Sequence, residues 1–270
     1  NPDEITSYAK LEAAVKKLDA KKAELGLEAV FAVAGKETWV TGLHFTNAAL
    51  SPEFENVFNA FNAKKIDFKY SEGMKKLFDL QINYAKKPVN SVDYSTQVEK
   101  LFSLGKVAFM QQGNWTLGAI KGIDEELAAN IGFLPMPIVG AKEDSIPVGI
   151  PMYWTVNSTK DEKTQAAAKA FLNWMYTSEK GKDAIINKFG FIPPFKGFDS
   201  PDLQPKDALA KDIMKYASAG KTIQWVFMGY PSGWGMEKIG VDLQKYVDGK
   251  LTWDQLIENG KKSWEEARNK

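Results

Sequence analysis

The chain has 270 residues, of which 44% are hydrophobic and 26% are charged, a composition typical of a globular protein with a sizeable core. Its 35 Lys and Arg residues balance 34 Asp and Glu residues, so it lacks the basic excess that favours nucleic-acid or membrane-surface binding. The absence of Cys excludes thiol catalysis, thiolate metal sites and disulfides, and the single His leaves little for a zinc site or a catalytic triad. The only Arg is Arg268, which argues against a highly anionic ligand, since Arg is the residue suited to bidentate capture of phosphate or carboxylate.

Hydrophobic periodicity predicts helices that alternate with short strands along the first half of the chain. A helix is predicted at 2–25, where Leu11, Val15 and Leu18 recur at the spacing of one helical face, and Gly26 ends it. The next segment, 27–33, is apolar and partly β-branched, which indicates a buried strand. Further helices are predicted at 52–63, 71–85, 90–104 and 116–127, and further strands at 107–110 and 131–135.

The second half begins with a strand predicted at 148–156 and interrupted by Pro151, which is typical of an edge, a bulge or a crossover between domains. An amphipathic helix is predicted at 163–175, with Phe171 and Trp174 on its apolar face. The remaining helices are predicted at 179–188, 207–219, 236–247 and from 253 onward, the last of them after a capping box at Thr252 and Gln255. This alternation predicts an α/β fold.

Motifs for catalysis are missing from the sequence. There is no P-loop, dinucleotide fingerprint, paired-histidine metal motif or G-x-S-x-G elbow. Carboxylate pairs such as Glu125-Glu126 and Glu265-Glu266 lie on charged helical faces, where solvent exposure is expected. A glycosidase needs two carboxylates that flank a cleft, and only Glu37 lies in a plausible cleft loop, so that alternative is weak.

The most informative stretch is 106–115, in which an apolar strand runs into Gln-Gln-Gly-Asn and ends at Trp115. We expect Gly113 to permit unusual backbone angles and close approach of another molecule, Asn114 to supply amide donors and an acceptor, and Trp115 to supply a rigid apolar face. Such a loop suits a neutral ligand rich in hydroxyl groups, such as a sugar. The alternative is a strand–turn–helix unit in which the Trp packs into the core.

Other aromatic residues lie in or beside loops at strand ends or helix starts, which is where ligands of open α/β sheets bind. They are Trp39, Tyr153, Trp154, Tyr230 and Trp234. Trp174 and Trp264, in contrast, lie on helices at apolar spacing and are predicted to be core residues. We interpret His44, beside Phe45, as a satisfied polar contact, and the pattern does not place Trp225.

Two stretches in the middle of the chain match motifs of a known family. Residues 105–115 resemble its run G-x-A-A-M-x-x-x-G-x-W, with Phe109 in place of a small residue. Residues 148–157, followed by the predicted helix at 163–175 and Thr-Ser-Glu-Lys-Gly at 177–181, are similar to its hinge strand and A-x-x-F-L-x-x-x-x-S-x-E helix.

Two later stretches complete the set in the same order. Residues 189–193 resemble a G-x-x-P loop, and residues 243–256 resemble the C-terminal signature L-x-x-x-x-x-G-k-x-t-x-e-e-A-L. Together the four stretches resemble the extracellular solute-binding proteins of ABC sugar importers, the maltose-binding-protein-like group.

The resemblance implies an α/β, periplasmic-binding-protein-like two-lobe fold with a hinge. Residues 1–148 are expected to form the second-lobe domain, 149–204 a returning segment of the first lobe with hinge crossings, and 205–270 a helical segment that packs back on the second lobe. Because Asn1 looks like the start of the second lobe, we expect a C-terminal fragment: most of the first lobe, a signal peptide and a lipidated N-terminus would precede it.

By the same resemblance, the protein would be a non-enzymatic, cofactor-free monomer located outside the cytoplasm. It would capture a di- or oligosaccharide between its lobes and present it to the membrane permease subunits of an importer, with no nucleic-acid partner. Trp115 would be a stacking platform and Asn114 its hydrogen-bonding neighbour. The other residues carried over by position are Trp234, Glu37, Trp39, Tyr153 and Tyr230. The alternatives are a non-sugar solute on the same fold and, less favoured, a glycosidase.

Overall fold

Two pairs of short parallel strands organise the chain. Strand β1 (Phe31–Ala32) pairs with β2 (Phe109–Met110), and β3 (Ile146–Val148) pairs with β4 (Thr222–Gln224). Parallel pairing requires a long crossover between partners, and helices supply it here. The predicted α/β fold is therefore confirmed, although each strand is much shorter than the apolar run that contains it.

The computed structural model describes residues 2–150, 153–193, 195–198 and 200–269. The α-helices within these ranges are α1 (Tyr8–Ala20), α2 (Thr46–Phe54), α3 (Val57–Asn62), α4 (Ser71–Asn83), α5 (Leu117–Ile123), α6 (Glu125–Ala129), α7 (Glu162–Thr177), α8 (Glu179–Asp183), α9 (Ala208–Ser218), α10 (Gly240–Val247) and α11 (Trp253–Arg268). Segments of π-helix cover Val40–Phe45, Thr96–Phe102, Ala184–Lys188 and Trp234–Ile239. Short 3-10 turns cover Pro2–Glu4, Val89–Ser91, Asn114–Thr116, Pro201–Leu203 and Val226–Gly229.

Side-chain caps set several helix boundaries. The predicted helix at 52–63 is instead divided, because the Asn56 side chain accepts a hydrogen bond from the Asn59 backbone N–H at 2.9 Å and starts a new helix, α3. At the C-terminal helix α11, Thr252 and Gln255 form the predicted capping box. Local hydrogen-bonding chemistry, which the sequence displays directly, therefore predicts these starts better than apolar spacing does.

Two strand predictions differ from the structure. Residues 131–135 form no strand among the residues described, and the strand predicted at 148–156 lies slightly earlier, as β3. Pro151 lies outside the described residues. Strand β4 was not predicted at all, since it is only three residues long and is defined by its pairing with β3.

The main hydrophobic core combines buried side chains between Leu11 and Val89, and Ile138, with buried side chains between Val226 and Trp264. Trp234 lies inside it at 1% exposure, and its Nε1 donates to the Gly260 carbonyl oxygen at 3.1 Å and the Ser263 Oγ at 3.0 Å. Its ring meets that of Trp264, with centroids 4.9 Å apart, and Tyr230 packs edge-on against both rings. Trp264 is a core residue as predicted. Trp234 and Tyr230, which were expected to contact a ligand, are also buried in this core.

The only Arg stabilises this core instead of facing a ligand. Arg268 donates through one guanidinium nitrogen to the Ala60 carbonyl oxygen at 2.9 Å and to the Gly229 carbonyl oxygen. Its guanidinium group also lies over the Phe61 and Trp264 rings, a cation–π arrangement. The end of α11 is thereby joined to α3.

A second, smaller core lies in the segment 172–203, where Met175, Ile185, Ile186 and Phe198 are buried together. Two large aromatic side chains of α7 stay open: Phe171 and Trp174 are 54% and 46% exposed, and their rings stack on each other. The prediction that Trp174 is a core residue is therefore wrong for this structure. The proposed division at 148 and 204 stays a prediction.

No helix in the described ranges combines the length and the apolar character needed to cross a membrane.

Candidate functional site

Three tryptophans meet where strands end. Because β1 and β2 are parallel, the loops that leave their carboxyl ends emerge at the same edge. The first loop leads to Trp39 and the second to Trp115, and the centroids of these rings are 6.2 Å apart. Trp225 follows β4 directly, and its ring lies 6.4 Å from that of Trp115.

His44 lies at the centre of these rings. Its imidazole centroid is 5.7 Å from Trp39, 5.3 Å from Trp115, 5.2 Å from Trp225 and 4.8 Å from Phe227. Its side chain has no hydrogen bond within the ranges that the structure covers, so the interpretation of His44 as a satisfied polar contact is wrong. We call the set formed by these rings and Tyr94 the aromatic cluster; its members are Trp39, His44, Tyr94, Trp115, Trp225 and Phe227.

A carboxylate holds Trp39 in place. Glu37 Oε2 accepts from Trp39 Nε1 at 3.2 Å, and Glu37 Oε1 accepts from the Tyr94 backbone N–H at 3.3 Å. Both carboxylate oxygens are thus engaged within the protein. Glu37 therefore positions Trp39, because its carboxylate connects the loop after β1 to the segment that carries Tyr94.

A chain of amides holds Trp115. Its Nε1 donates to Gln112 Oε1 at 3.1 Å, and Gln112 Nε2 donates to Gln97 Oε1 at 2.7 Å. Gln97 is fully buried, and its Nε2 donates to the Ala32 carbonyl oxygen in β1 at 2.7 Å. Each buried amide therefore has a partner, and the Trp115 ring is fixed relative to the strand that leads to Trp39.

Gly113 is needed for a reason other than the one predicted. Its φ of −113° and ψ of −179° are extended angles that any residue adopts. The Trp115 ring, however, folds back over its Cα, so a Cβ at this position would overlap the ring. Gly149 has the same relation to the Trp225 ring. Two glycines thus make room for two of the tryptophans.

Four members of the cluster line an open cleft together with two other predicted residues, Asn114 and Tyr153; the four are Trp39, His44, Trp115 and Trp225. Trp115 is 41% exposed and Tyr153 is 71% exposed. The Asn114 amide makes no hydrogen bond to any residue in the described ranges, so its donors and acceptor are free for a ligand. Trp154, beside Tyr153, also lines the cleft, and its Nε1 donates to the Tyr176 hydroxyl at 2.8 Å.

The predicted residues therefore fall into three groups. Four of them line the cleft, one is hydrogen-bonded to a cleft residue, and two are in the core. They are Trp39, Asn114, Trp115 and Tyr153, then Glu37, which accepts from Trp39, then Tyr230 and Trp234. Sequence reasoning missed His44, Tyr94, Trp225 and Phe227. A signal for Trp225 is present in the sequence, since Thr-Ile-Gln at 222–224 precedes it as a short strand, but the run is too short to stand out.

The ring surface is uncharged at neutral pH. Burial lowers the pKa of His44 to about 4, and burial also raises the pKa of Tyr94. Within the described residues, no group of three or more His, Asp or Glu side chains could hold a metal ion. The arrangement suits a neutral ligand with apolar faces and hydroxyl groups.

The sequence pattern of the family described as "Bacterial extracellular solute-binding protein" matches residues 2–230. This covers most of the chain, and the chain belongs to that family, as the sequence motifs predicted. Its location is accordingly extracellular or periplasmic. No curated protein sequence matches the chain.

Solved structures share the fold over 98% of this chain. They include a chitin oligosaccharide binding protein (18% identity, TM-score 0.73), the putative binding protein MsmE of Bacillus subtilis subsp. subtilis str. 168 in an open conformation (16%, 0.70), and a manno-oligosaccharide-specific solute-binding protein of Bifidobacterium animalis subsp. lactis in complex with mannotriose (21%, 0.65). The chain spans 65%, 65% and 64% of their lengths, respectively. The likeness confirms the predicted periplasmic-binding-protein-like fold.

The space over Gly113 can be tested by substitution. We expect Gly113→Ala to displace the Trp115 ring and break its hydrogen bond to Gln112, at a cost of about 1–3 kcal/mol in unfolding free energy. The indole N–H signal of Trp115 in an NMR spectrum should move. Gly118→Ala is the matched control, because a Cβ there meets open space. An unmoved Trp115 signal in the Gly113 variant would contradict this packing.

The environment of His44 predicts a pH dependence. Because its folded pKa of about 4 lies below the ordinary 6.5, the unfolded chain binds a proton on this residue between those pH values and the folded chain does not. The unfolding free energy of the wild type should fall relative to His44→Gln as pH drops from about 6.5 to 4, by about 2 kcal/mol after allowance for partial exposure. Urea denaturation at several pH values measures both unfolding free energies. A difference between wild type and variant that does not change with pH would contradict the buried environment of His44.

Proposed function

We propose that this chain is the carbohydrate-binding component of an ABC importer and that it binds a di- or oligosaccharide in the cleft at the aromatic cluster. The observation that carries the proposal is the meeting of Trp39, Trp115 and Trp225 around an uncharged imidazole at the ends of parallel strands. Sugars combine apolar C–H faces, which stack on indole rings, with hydroxyl groups that pair with amides.

The orientation of the rings supports a ligand of more than one sugar unit. The planes of Trp39 and Trp115 differ by 52°, and those of Trp115 and Trp225 differ by 71°. Rings tilted in this way present their faces in different directions. Successive units of a bent oligosaccharide could each meet a different indole, while Asn114 pairs with hydroxyl groups between them.

Related solved structures support this class of ligand. The related structures include one described as binding chitin oligosaccharide and one in complex with mannotriose. The chain spans about two thirds of their length.

We further propose that the complete protein acts as a monomer, by closure of two lobes about a hinge. Sugar would favour the closed form, because only that form contacts it from both sides, and the permease subunits would recognise it. A lipidated N-terminus would hold the protein at the membrane. No catalytic step is included: Glu37, the one acid predicted for the cleft, already accepts two hydrogen bonds within the protein.

NMR of the tryptophan indole N–H groups tests the proposal even at weak affinity. The panel is raffinose, stachyose, mannotriose and chitin oligosaccharides, each titrated into ¹⁵N-labelled chain up to millimolar concentration. We expect the signals of Trp39, Trp115 and Trp225 to move in a saturable manner with at least one sugar. The signals of Trp234 and Trp264 should stay in place, because both rings are buried in the main core.

Matched variants make the assignment specific. Trp115→Ala should weaken binding about tenfold or more, since it removes a stacking face, whereas Trp174→Ala should leave binding unchanged although that ring is equally exposed. If no sugar moves any of the three cluster signals, the carbohydrate proposal fails and a non-sugar solute is favoured. Release of shorter sugars during the titration would instead indicate a glycosidase.

A further inference from the structure

We infer that His44 contacts the bound sugar directly, through a hydrogen bond between one ring nitrogen and a sugar hydroxyl group, and determines which hydroxyl pattern the cleft accepts. This inference rests on the proposed carbohydrate function and assigns a residue to the same site. It differs from the roles of the surrounding tryptophans, whose faces provide apolar contact and little information about hydroxyl positions.

The position of His44 is the first reason. Its ring contacts Trp39, Trp115, Trp225 and Phe227, and it lines the cleft at the point where the three indoles come together. A sugar unit stacked on Trp115 would bring its ring substituents within reach of a group whose centroid lies 5.3 Å from that indole.

The unused hydrogen-bonding capacity of His44 is the second reason. Among the residues that the structure describes, none hydrogen-bonds its side chain, although the neighbouring polar side chains Glu37, Gln97 and Gln112 are all paired. Since His44 lines the cleft, a ligand hydroxyl group can supply the hydrogen-bond partner that the protein does not.

The chemistry of the ring is the third reason. Burial favours the neutral form of His44 by lowering its pKa to about 4. A neutral imidazole carries one N–H donor and one nitrogen acceptor, and a hydroxyl group can pair with either. The Glu37 carboxylate accepts hydrogen bonds from Trp39 and from the Tyr94 backbone and none from His44, so it does not hold the imidazole in one orientation.

Because His44 is the only His, selective ¹⁵N labelling of histidine gives just two ring signals. At pH 7 these should have the positions of a neutral tautomer, and saturation with the sugar that binds best in the panel should shift at least one of them strongly. This readout needs no variant. If the His44 ring only packed against the tryptophans, its two nitrogen signals would change little when sugar binds.

Two variants separate a polar contact from packing. His44→Phe keeps an aromatic ring but removes both nitrogens and should weaken binding about 5- to 20-fold, whereas His44→Gln retains a donor and an acceptor and should recover part of that loss. A deoxy sugar that lacks the contacted hydroxyl should bind the wild type more weakly than the parent sugar does. The two sugars should bind the His44→Phe variant with equal affinity.

The outcomes are distinct. If the wild type binds sugar but its histidine signals do not shift and His44→Phe binds equally well, this inference is overturned while the proposed function stands. If the wild type binds none of the sugars, the proposed function fails and the role of His44 fails with it.

Discussion

The parallel pairing of β1 with β2 is the constraint on which the rest of the site depends. Only two residues of each strand pair, yet this pairing brings the carboxyl ends of both to one edge and directs the two following loops into the same space. Trp39 and Trp115 lie far apart in the chain and meet only for this reason. The buried Gln97 reinforces the arrangement, because its hydrogen bonds connect Gln112, which holds Trp115, to the β1 backbone. An unpaired amide would be costly in the protein interior.

The eight tryptophans serve opposite purposes within one molecule. Trp234 and Trp264 are packed face to edge in the core, where both pair their indole N–H groups, and Trp264 also stacks on Phe54 of α2. Trp39, Trp115 and Trp225 keep part of their surface at the cleft, and glycines beside two of them allow the rings to lie close to the backbone. A stable aromatic core and an aromatic binding surface are thereby built from the same residue type.

Much of the fold could be predicted from the sequence, since capping chemistry and apolar spacing are local signals. The capping box at Thr252 and the strand before Gln111 are examples. The site could be predicted only in part. Trp115 and Trp234 each follow a Gly-containing turn and lie at the start of a helical segment, and that local pattern is similar for both. Long-range packing leaves one in the cleft and buries the other, and it also surrounds His44 with rings from distant segments.

The central claim is that a sugar stacks on the indoles that meet at the strand ends. A crystal structure of this chain with its best-binding oligosaccharide tests it most directly. We predict that electron density for a sugar unit lies on the Trp115 face, with the next unit against Trp39 or Trp225 and a hydroxyl within hydrogen-bonding distance of Asn114. Sugar bound elsewhere, with the three indole faces unoccupied, would contradict it.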